Sequence, residues 1–302
     1  MYHYKAFNLH FTTPFKCPEL LEINENNNLE KVTIEFGETP KKLSNILNET
    51  VNIQSNNKEL LLKLKTVANY YISNGNKIII EKTAATVTED SIRLFLFGSA
   101  IGALLFQKGY LVLHASAIKT EKGAVLFCGH SGSGKSTTLQ ELIKRGYKKL
   151  SDDTIALYYD EKKKKIMCIP SYPQSKLWQK SLDLLEYKNK GLRKINEDLE
   201  KYAYNTKEDF YDKKPIPIYS LFVLNTYKNN EIEVTSVEGL DKFNVIRNQT
   251  YRKKFIEKLD LKKTHLKLGT LTANQIKIKR LFRPENSNTL NDVANIIEKD
   301  IR

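Results

Sequence analysis

Cysteine, methionine and tryptophan are scarce in this chain: three, two and one among 302 residues. Cys17, Cys128 and Cys168 show no paired spacing, so there is no disulfide framework to read, and a sparse, odd count fits a reducing cytoplasm. The five histidines are scattered, so a metal centre built from Cys or His is not expected. No run approaches 18 consecutive apolar residues, and no membrane span is expected. The first residues, MYHYKAFNLHF, hold no basic segment followed by a long apolar stretch, so a secretory signal is not expected either. Acidic residues are also in short supply. Asp and Glu number 35 against 49 Lys and Arg, a formal net charge of +14. Such a balance favours anionic partners: nucleotides, acidic peptides or nucleic acids. No nucleic-acid-binding motif is present, so nucleic acid is not expected, and no internal repeat appears. The hydrophobic fraction, 40%, is ample for one large or two modest domains.

What is present is concentrated in one stretch, CGHSGSGKSTT at residues 128–138. Residues 129–136 fit the phosphate-loop pattern G-x-x-x-x-G-K-[ST] without a mismatch. Gly129, Gly132 and Gly134 let the backbone turn tightly and direct N–H groups inward, where side chains would block phosphate. In that pattern Lys135 reaches the β- and γ-phosphates and the Ser136 hydroxyl ligates Mg²⁺. Ser131, Ser133 and Thr137 complete the candidate nucleotide-binding set. Residues 124–128, AVLFC, read as a buried strand. Leu139, Leu142 and Ile143 recur at helical spacing, and Gly146 stands where the helix should stop. A strand, a glycine-rich loop and a helix whose N-terminus attracts anions are the context the motif requires. Further on, Asp152 and Asp153 close a probable strand. Paired carboxylates there suit an ATP site, one for Mg²⁺ and one for the proton of an acceptor hydroxyl.

Residues 113–157, LHASAIKTEKGAVLFCGHSGSGKSTTLQELIKRGYKKLSDDTIAL, resemble the catalytic core of the HPr serine kinase family. The resemblance lies in His114, the loop at 129–136, Arg145-Gly146 and Asp152-Asp153, in that order. It implies an α/β fold: a PEP-carboxykinase-like P-loop core with a mixed β-sheet, preceded in this chain by a β-rich N-terminal module. It further implies that Lys135, Ser131 and Ser136 meet phosphate and Mg²⁺. Asp152 would activate the acceptor serine, Asp153 would lie near the metal, and His114 would lie close to the transferring phosphate. Read from its neighbours alone, His114 suits a buried core histidine, since Leu111, Val112, Leu113 and Ala115 are apolar. The family's later Glu-x-Arg-Gly-Leu-Gly signature is missing, and residues 170–178 read PSYPQSKLW instead. That stretch, the LHASA start and PIYSLFVLN at 217–225 resemble a divergent branch that includes kinases tailoring lasso peptides. The departure weighs against HPr as substrate. The family's members often assemble, so a homo-oligomer is an open expectation.

Residues 1–87 read as the β-rich module, with strands at 2–11, 32–36, 51–53 and 77–80, and a strand or helix at 59–67. Residues 88–302 read as the catalytic domain, entered by a bridging helix at 88–109 for which Thr88 is the N-cap. Lys162 to Lys165 read as a hairpin turn between strands at 155–159 and 166–169. Residues 177–187 read as a helix in which Trp178 packs, and 191–214 as a flexible or weakly helical lid or substrate segment. Strands are expected at 221–224 and 232–235, and helices at 240–259 and 287–301. The expected activity is transfer of the γ-phosphate of ATP, with Mg²⁺, to a serine of a peptide or protein, above all a ribosomally made precursor. Two alternatives stand beside it: a kinase of a small hydroxyl-bearing metabolite, for which Arg247 and Arg252 form the visible arginine cluster, and a nucleotide-binding regulator without transfer.

Overall fold

Apolar and polar residues alternate along the N-terminal third, the period-2 pattern of strands with one buried face. A computed structural model describes residues 1–195, 199–285 and 287–302. The chain divides into two units, Met1–Val112 with Thr250–Gly269, and Leu113–Gln249 with Thr270–Arg302. Among the described residues no helix is long and apolar enough to cross a membrane.

The first unit is built on nine strands: β1 (Tyr2–Ala6), β2 (Leu9–Thr13), β3 (Leu21–Glu22), β4 (Glu30–Phe36), β5 (Asn48–Thr50), β6 (Ile53–Ser55), β7 (Glu59–Lys63), β8 (Ala68–Ser73) and β9 (Lys77–Lys82). They form one mixed sheet in the order β3-β1-β2-β4-β9-β8-β7-β6-β5. The single strand expected at 2–11 is a hairpin instead. Phe7 and Asn8 take positive φ, 52° and 57°, a two-residue turn matched to strand twist. The strand expected at 51–53 is displaced too: Val51 and Asn52 are the turn joining β5 to β6. The stretch at 59–67, open to either reading, forms strand β7, with Leu60, Leu61 and Leu62 buried.

The helix expected at 88–109 is three pieces in continuous succession: α1 (Glu89–Phe95), a π-helical turn at Leu96–Ala100, and α2 (Ile101–Gln107). Thr88 caps it, its hydroxyl accepting from the Ser91 N–H at 3.3 Å. Tyr70 on β8 donates to the Ile92 carbonyl at 2.9 Å and ties the helix to the sheet. From the later segment, α6 (Lys254–Lys258) sits beside β5, and Ser55 at the end of β6 donates to the Lys258 carbonyl at 2.7 Å.

The second unit contains β11 (Ser116–Lys119), β12 (Ala124–Cys128), α3 (Lys135–Lys144), β13 (Lys148–Ser151), β14 (Ile155–Asp160), β15 (Lys165–Ile169), β16 (Gln174–Trp178), α4 (Gln179–Leu184), β17 (Lys201–Asn205), β18 (Ile216–Tyr227), β19 (Glu233–Ser236), α5 (Leu240–Asn248), β20 (Lys277–Pro284) and α8 (Leu290–Ile301). A short strand, β10 (Leu111–Leu113), leads into it, and α7 (Lys262–Gln275) precedes β20. Its strands run β14-β15-β18-β12-β11-β13, with β20 paired to β18 and β19 to β20. β12, β18 and β20 are mutually parallel and the remaining pairs antiparallel, a mixed sheet. All five residues of β12 are buried. Phe127 and Phe222 stack across the parallel pair, ring centres 6.5 Å apart. Leu139 and Leu142 of α3 and Val293 and Ile297 of α8 close over them. Arg145 joins the two helices by donating to Glu141 and to Glu298, both at 2.9 Å.

Several elements of this unit differ from the sequence expectation. The helix expected at 177–187 is strand β16 followed by the short helix α4, because Leu177 packs into a cluster with Leu182, Leu185 and Tyr202 from the facing strand. The segment at 191–214 supplies strand β17, antiparallel to β16, and a 3-10 turn at Lys207–Asp209; part of it, 196–198, lies outside the described residues. The helix expected at 240–259 is broken into α5 and α6, and the one at 287–301 begins at Leu290. Helix α7 carries no clear sequence signal, its residues KKTHLKLGTLTANQ having little apolar periodicity. The lysine run is a hairpin turn as expected, with Asp160 accepting from the Lys162 and Lys163 N–H groups at 3.0 Å.

Phe222 carries the centre of this core. Phe222→Ala should lower the unfolding free energy of the second unit by about 3–5 kcal/mol, through lost transfer and the cavity left behind. Urea unfolding followed by near-ultraviolet circular dichroism checks this, and a loss below about 1 kcal/mol would contradict the packing described.

Candidate active site

The loop between β12 and α3 depends on glycine at one point above all. Gly129 has φ 141°, and a Cβ there would lie 2.4 Å from the Leu224 carbonyl oxygen and 2.5 Å from Ser133 Oγ. Its N–H donates to Gln249 Oε1 at 3.1 Å. Gly134, at φ 101°, is the residue from which α3 starts. The Lys135 side chain folds back across the loop and donates to the carbonyls of Gly129 and His130 at 2.9 and 3.0 Å. Its amine is largely buried, which pulls its pKa down.

Beneath the loop, the two aspartates directly follow β13. Asp152 is 2% exposed. Its Oδ1 accepts from Ser136 at 2.9 Å and from Ser116 at 2.6 Å. Its Oδ2 is buried without a hydrogen-bond partner among the described residues. Asp153 takes the left-handed conformation, φ 76°, which Asp tolerates better than most residues. That turn sends consecutive carboxylates to different partners. Asp153 Oδ2 accepts from Lys176 Nζ at 3.0 Å, and Oδ1 lies 3.2 Å from His114 Nδ1. The same His114 nitrogen lies 3.0 Å from the Asp153 carbonyl oxygen, which fixes the ring. Burial alone would raise the Asp153 carboxyl, but the Lys176 and His114 charges and hydrogen bonds hold it well below the usual carboxylate range.

These groups face one cavity of about 870 Å³ within the second unit. His114, Ser131, Gly132, Gly134, Lys135, Ser136, Thr137, Asp152 and Asp153 all line it. Gly129, the first residue of the loop, and Ser133 are buried and do not line the cavity, and the Ser133 hydroxyl has no partner among the described residues. Thr137 is bonded to Ser181 of α4 at 2.9 Å. Arg247 and Arg252 do not line the cavity, and Arg252 donates to the Gly98 carbonyl at 2.8 Å instead.

Four further residues join the site without any mark in the sequence: Lys149, Lys176, Lys201 and Arg283. Lys176 and Lys201 stand on β16 and β17, and Arg283 near the end of β20; all three line the cavity. Burial lowers the Lys201 pKa, and its ammonium lies 5.1 Å from the Trp178 ring centre. Trp178, 37% exposed, therefore forms part of the cavity wall. Lys149 is fully buried under the site and donates to the Gln174 carbonyl at 2.6 Å and to Ser175 at 3.1 Å. It thereby anchors the strand that carries Lys176. No local signal distinguishes these residues in a lysine-rich chain, since strand pairing alone brings them in.

Among the described residues no cluster of three or more His, Cys, Asp or Glu could hold a metal ion. Ser136 with Asp152, whose second oxygen is unpartnered, nonetheless fits Mg²⁺, which is commonly held by one or two carboxylates with waters and substrate phosphates.

No family model matches the chain. No curated protein matches it. Among solved structures, it is similar to the Hpr(Ser) kinase/phosphatase from Coxiella burnetii, with TM-score 0.31 and 12% identity, over 63% of this chain and 89% of that one. Likeness of this degree says nothing about chemistry, which has to be read from the side chains.

Burial pushes the Lys149 amine from its ordinary 10.5 down to about 7. Between those values the unfolded chain binds the proton that the folded chain sheds, so this residue's contribution to stability rises with pH. The difference in unfolding free energy between wild type and Lys149→Met should shift in favour of wild type as pH goes from about 7 to 10, measured by urea unfolding. A difference constant across that range would contradict the buried, depressed amine.

Proposed function

We propose that the chain is a Mg²⁺- and ATP-dependent kinase with a P-loop core, transferring the γ-phosphate to a serine hydroxyl of a peptide or protein. The observation that carries this reading is the convergence of Lys135, Ser136 and the two differently partnered aspartates in one cavity under a glycine-rich loop. The loop backbone and Lys135 bind and neutralise the phosphate chain. Ser136 and Asp152 would hold the cation. Bound there, Mg²⁺ would supply Lewis-acid stabilisation of the negative charge that develops during transfer. Asp153, kept ionised by Lys176, faces the acceptor side with His114 and orients the incoming hydroxyl. As the oxygen–phosphorus bond to serine forms, the bond to the β-phosphate breaks and the hydroxyl proton passes to the carboxylate. Phosphoryl transfer asks little of base strength and much of positioning, so a carboxylate of low basicity suffices.

The family resemblance assigns the two aspartates the other way, with Asp152 accepting the proton and Asp153 beside the metal. The 2.9 Å contact of Ser136 with Asp152, rather than with Asp153, favours Asp152 as the cation's carboxylate. For the acceptor, three features support an anionic or flexible peptide: the lysines of β16 and β17, the half-exposed Trp178, and the net charge of +14. The resemblance of 170–178 to the lasso-peptide branch makes a ribosomally made precursor our choice of substrate.

Incubation with ATP, Mg²⁺ and serine-bearing peptides, followed by mass spectrometry, should show the gain of one or more phosphates on serine with matching ADP. Lys135→Ala and Asp152→Asn should fold normally and lose transfer by about 10²–10³-fold or more, as for other removed electrostatic contacts to a transition state. ADP release with no phosphorylated product, or undiminished transfer by Lys135→Ala, would count against a kinase working through this loop.

A further inference from the structure

Arg283 differs from Arg93, which is buried, and from Arg145, which like it is partly buried. Arg93 is held by Glu19 and Asp90, and Arg145 by Glu141 and Glu298. Arg283 is half-buried, yet among the described residues it has no carboxylate partner; its one hydrogen bond is a long 3.5 Å contact to the Pro284 carbonyl. Burial without compensation lowers its pKa. A desolvated cation left without a counter-ion is costly and is usually met where an anion arrives from outside.

Its placement says which anion. β20 is parallel to β18 with Arg283 opposite Thr226, and β18 is parallel to β12 with Val223 opposite Cys128. The C-terminal ends of the three strands therefore share the edge from which the glycine-rich loop departs, where α/β sheets bind ligands. Nη2 and Nε of Arg283 lie 3.6 and 3.8 Å from the point a Cβ on Gly134 would occupy, so the guanidinium fork covers the start of α3. In the same cavity the Thr289 hydroxyl, nine-tenths buried at the head of α8, has no partner among the described residues. A fork and a hydroxyl facing a phosphate-type loop match the paired oxygens of a phosphate group.

We propose that Arg283, from the last strand, binds the phosphate chain of the nucleotide opposite Lys135, with Thr289 as a second donor. The proposal rests on the nucleotide-binding reading above. The test is calorimetric titration of the full chain, as wild type, Arg283→Met and Arg283→Lys, with Mg·ATP and with Mg·tripolyphosphate. Arg283→Met should weaken both ligands by a similar factor, about 10- to 100-fold, as for a lost charged hydrogen bond. Arg283→Lys should fall between. Without ligand, the melting temperature of Arg283→Met should be unchanged or higher, because an isolated charge has been removed. If wild type binds Mg·ATP and both variants bind it equally well, the proposal fails while the kinase reading stands. Weaker ATP binding with unchanged tripolyphosphate binding would place Arg283 on the nucleoside and overturn the proposal. So would a raised KM for the acceptor peptide with unchanged nucleotide affinity, since the anion would then be the acceptor's. A melting temperature lowered by more than a few degrees in both variants would make Arg283 structural. If wild type binds neither ligand, the proposal and the reading it rests on fall together.

Discussion

The hydrogen bond from Ser136 to Asp152 joins the two halves of the site. Ser136 belongs to the first turn of α3, and Asp152 follows directly on β13, so the bond links the glycine-rich loop to the carboxylate pair. Ser116, on the neighbouring strand β11, adds a second hydroxyl to the same oxygen. A buried carboxylate with one oxygen accepting two hydrogen bonds and the other without a partner among the described residues suits the cation site proposed above. The packing supports this. Phe127 and Phe222 fix β12 against β18, and Leu139 and Leu142 seat α3 on them, so the loop has little freedom to drift from β13.

Electrostatics divide the two aspartates. Asp152 meets only hydroxyls among its hydrogen-bond partners, whereas Asp153 meets a lysine and a histidine. The left-handed turn at Asp153 makes the division possible, because an extended pair would not send both side chains into one cavity. Lys176 reaches Asp153 because β16 is held over β13 by the buried amine of Lys149. Lys149 thus positions β16 from beneath, and its buried amine also interacts electrostatically with Asp152.

Much of the centre was legible in the sequence because it is local. The glycine spacing, the apolar run at 124–128 and the helical recurrence of Leu139, Leu142 and Ile143 are near neighbours along the chain, and β12 and α3 form where they indicate. His114 and Asp153 were legible as separate candidates, and the fold brings them to 3.2 Å. What was not legible is set by contacts distant in sequence. Leu177 suits a helix as well as a strand until Tyr202 pairs with it. Arg283 is an ordinary basic residue until β20 is aligned beside β18. Phe7-Asn8 carries no glycine to announce its turn, and α7 lacks the apolar stripe that would mark it.

In the proposed reaction Ser136 and Asp152 hold the cation while Asp153 serves the acceptor side. Titration of ATP into Asp152→Asn and Asp153→Asn, with and without Mg²⁺, separates these roles most directly. Asp152→Asn is expected to lose the gain in affinity that Mg²⁺ confers, and Asp153→Asn to keep it. Loss of the Mg²⁺ effect in Asp153→Asn, with the effect intact in Asp152→Asn, would contradict the assignment.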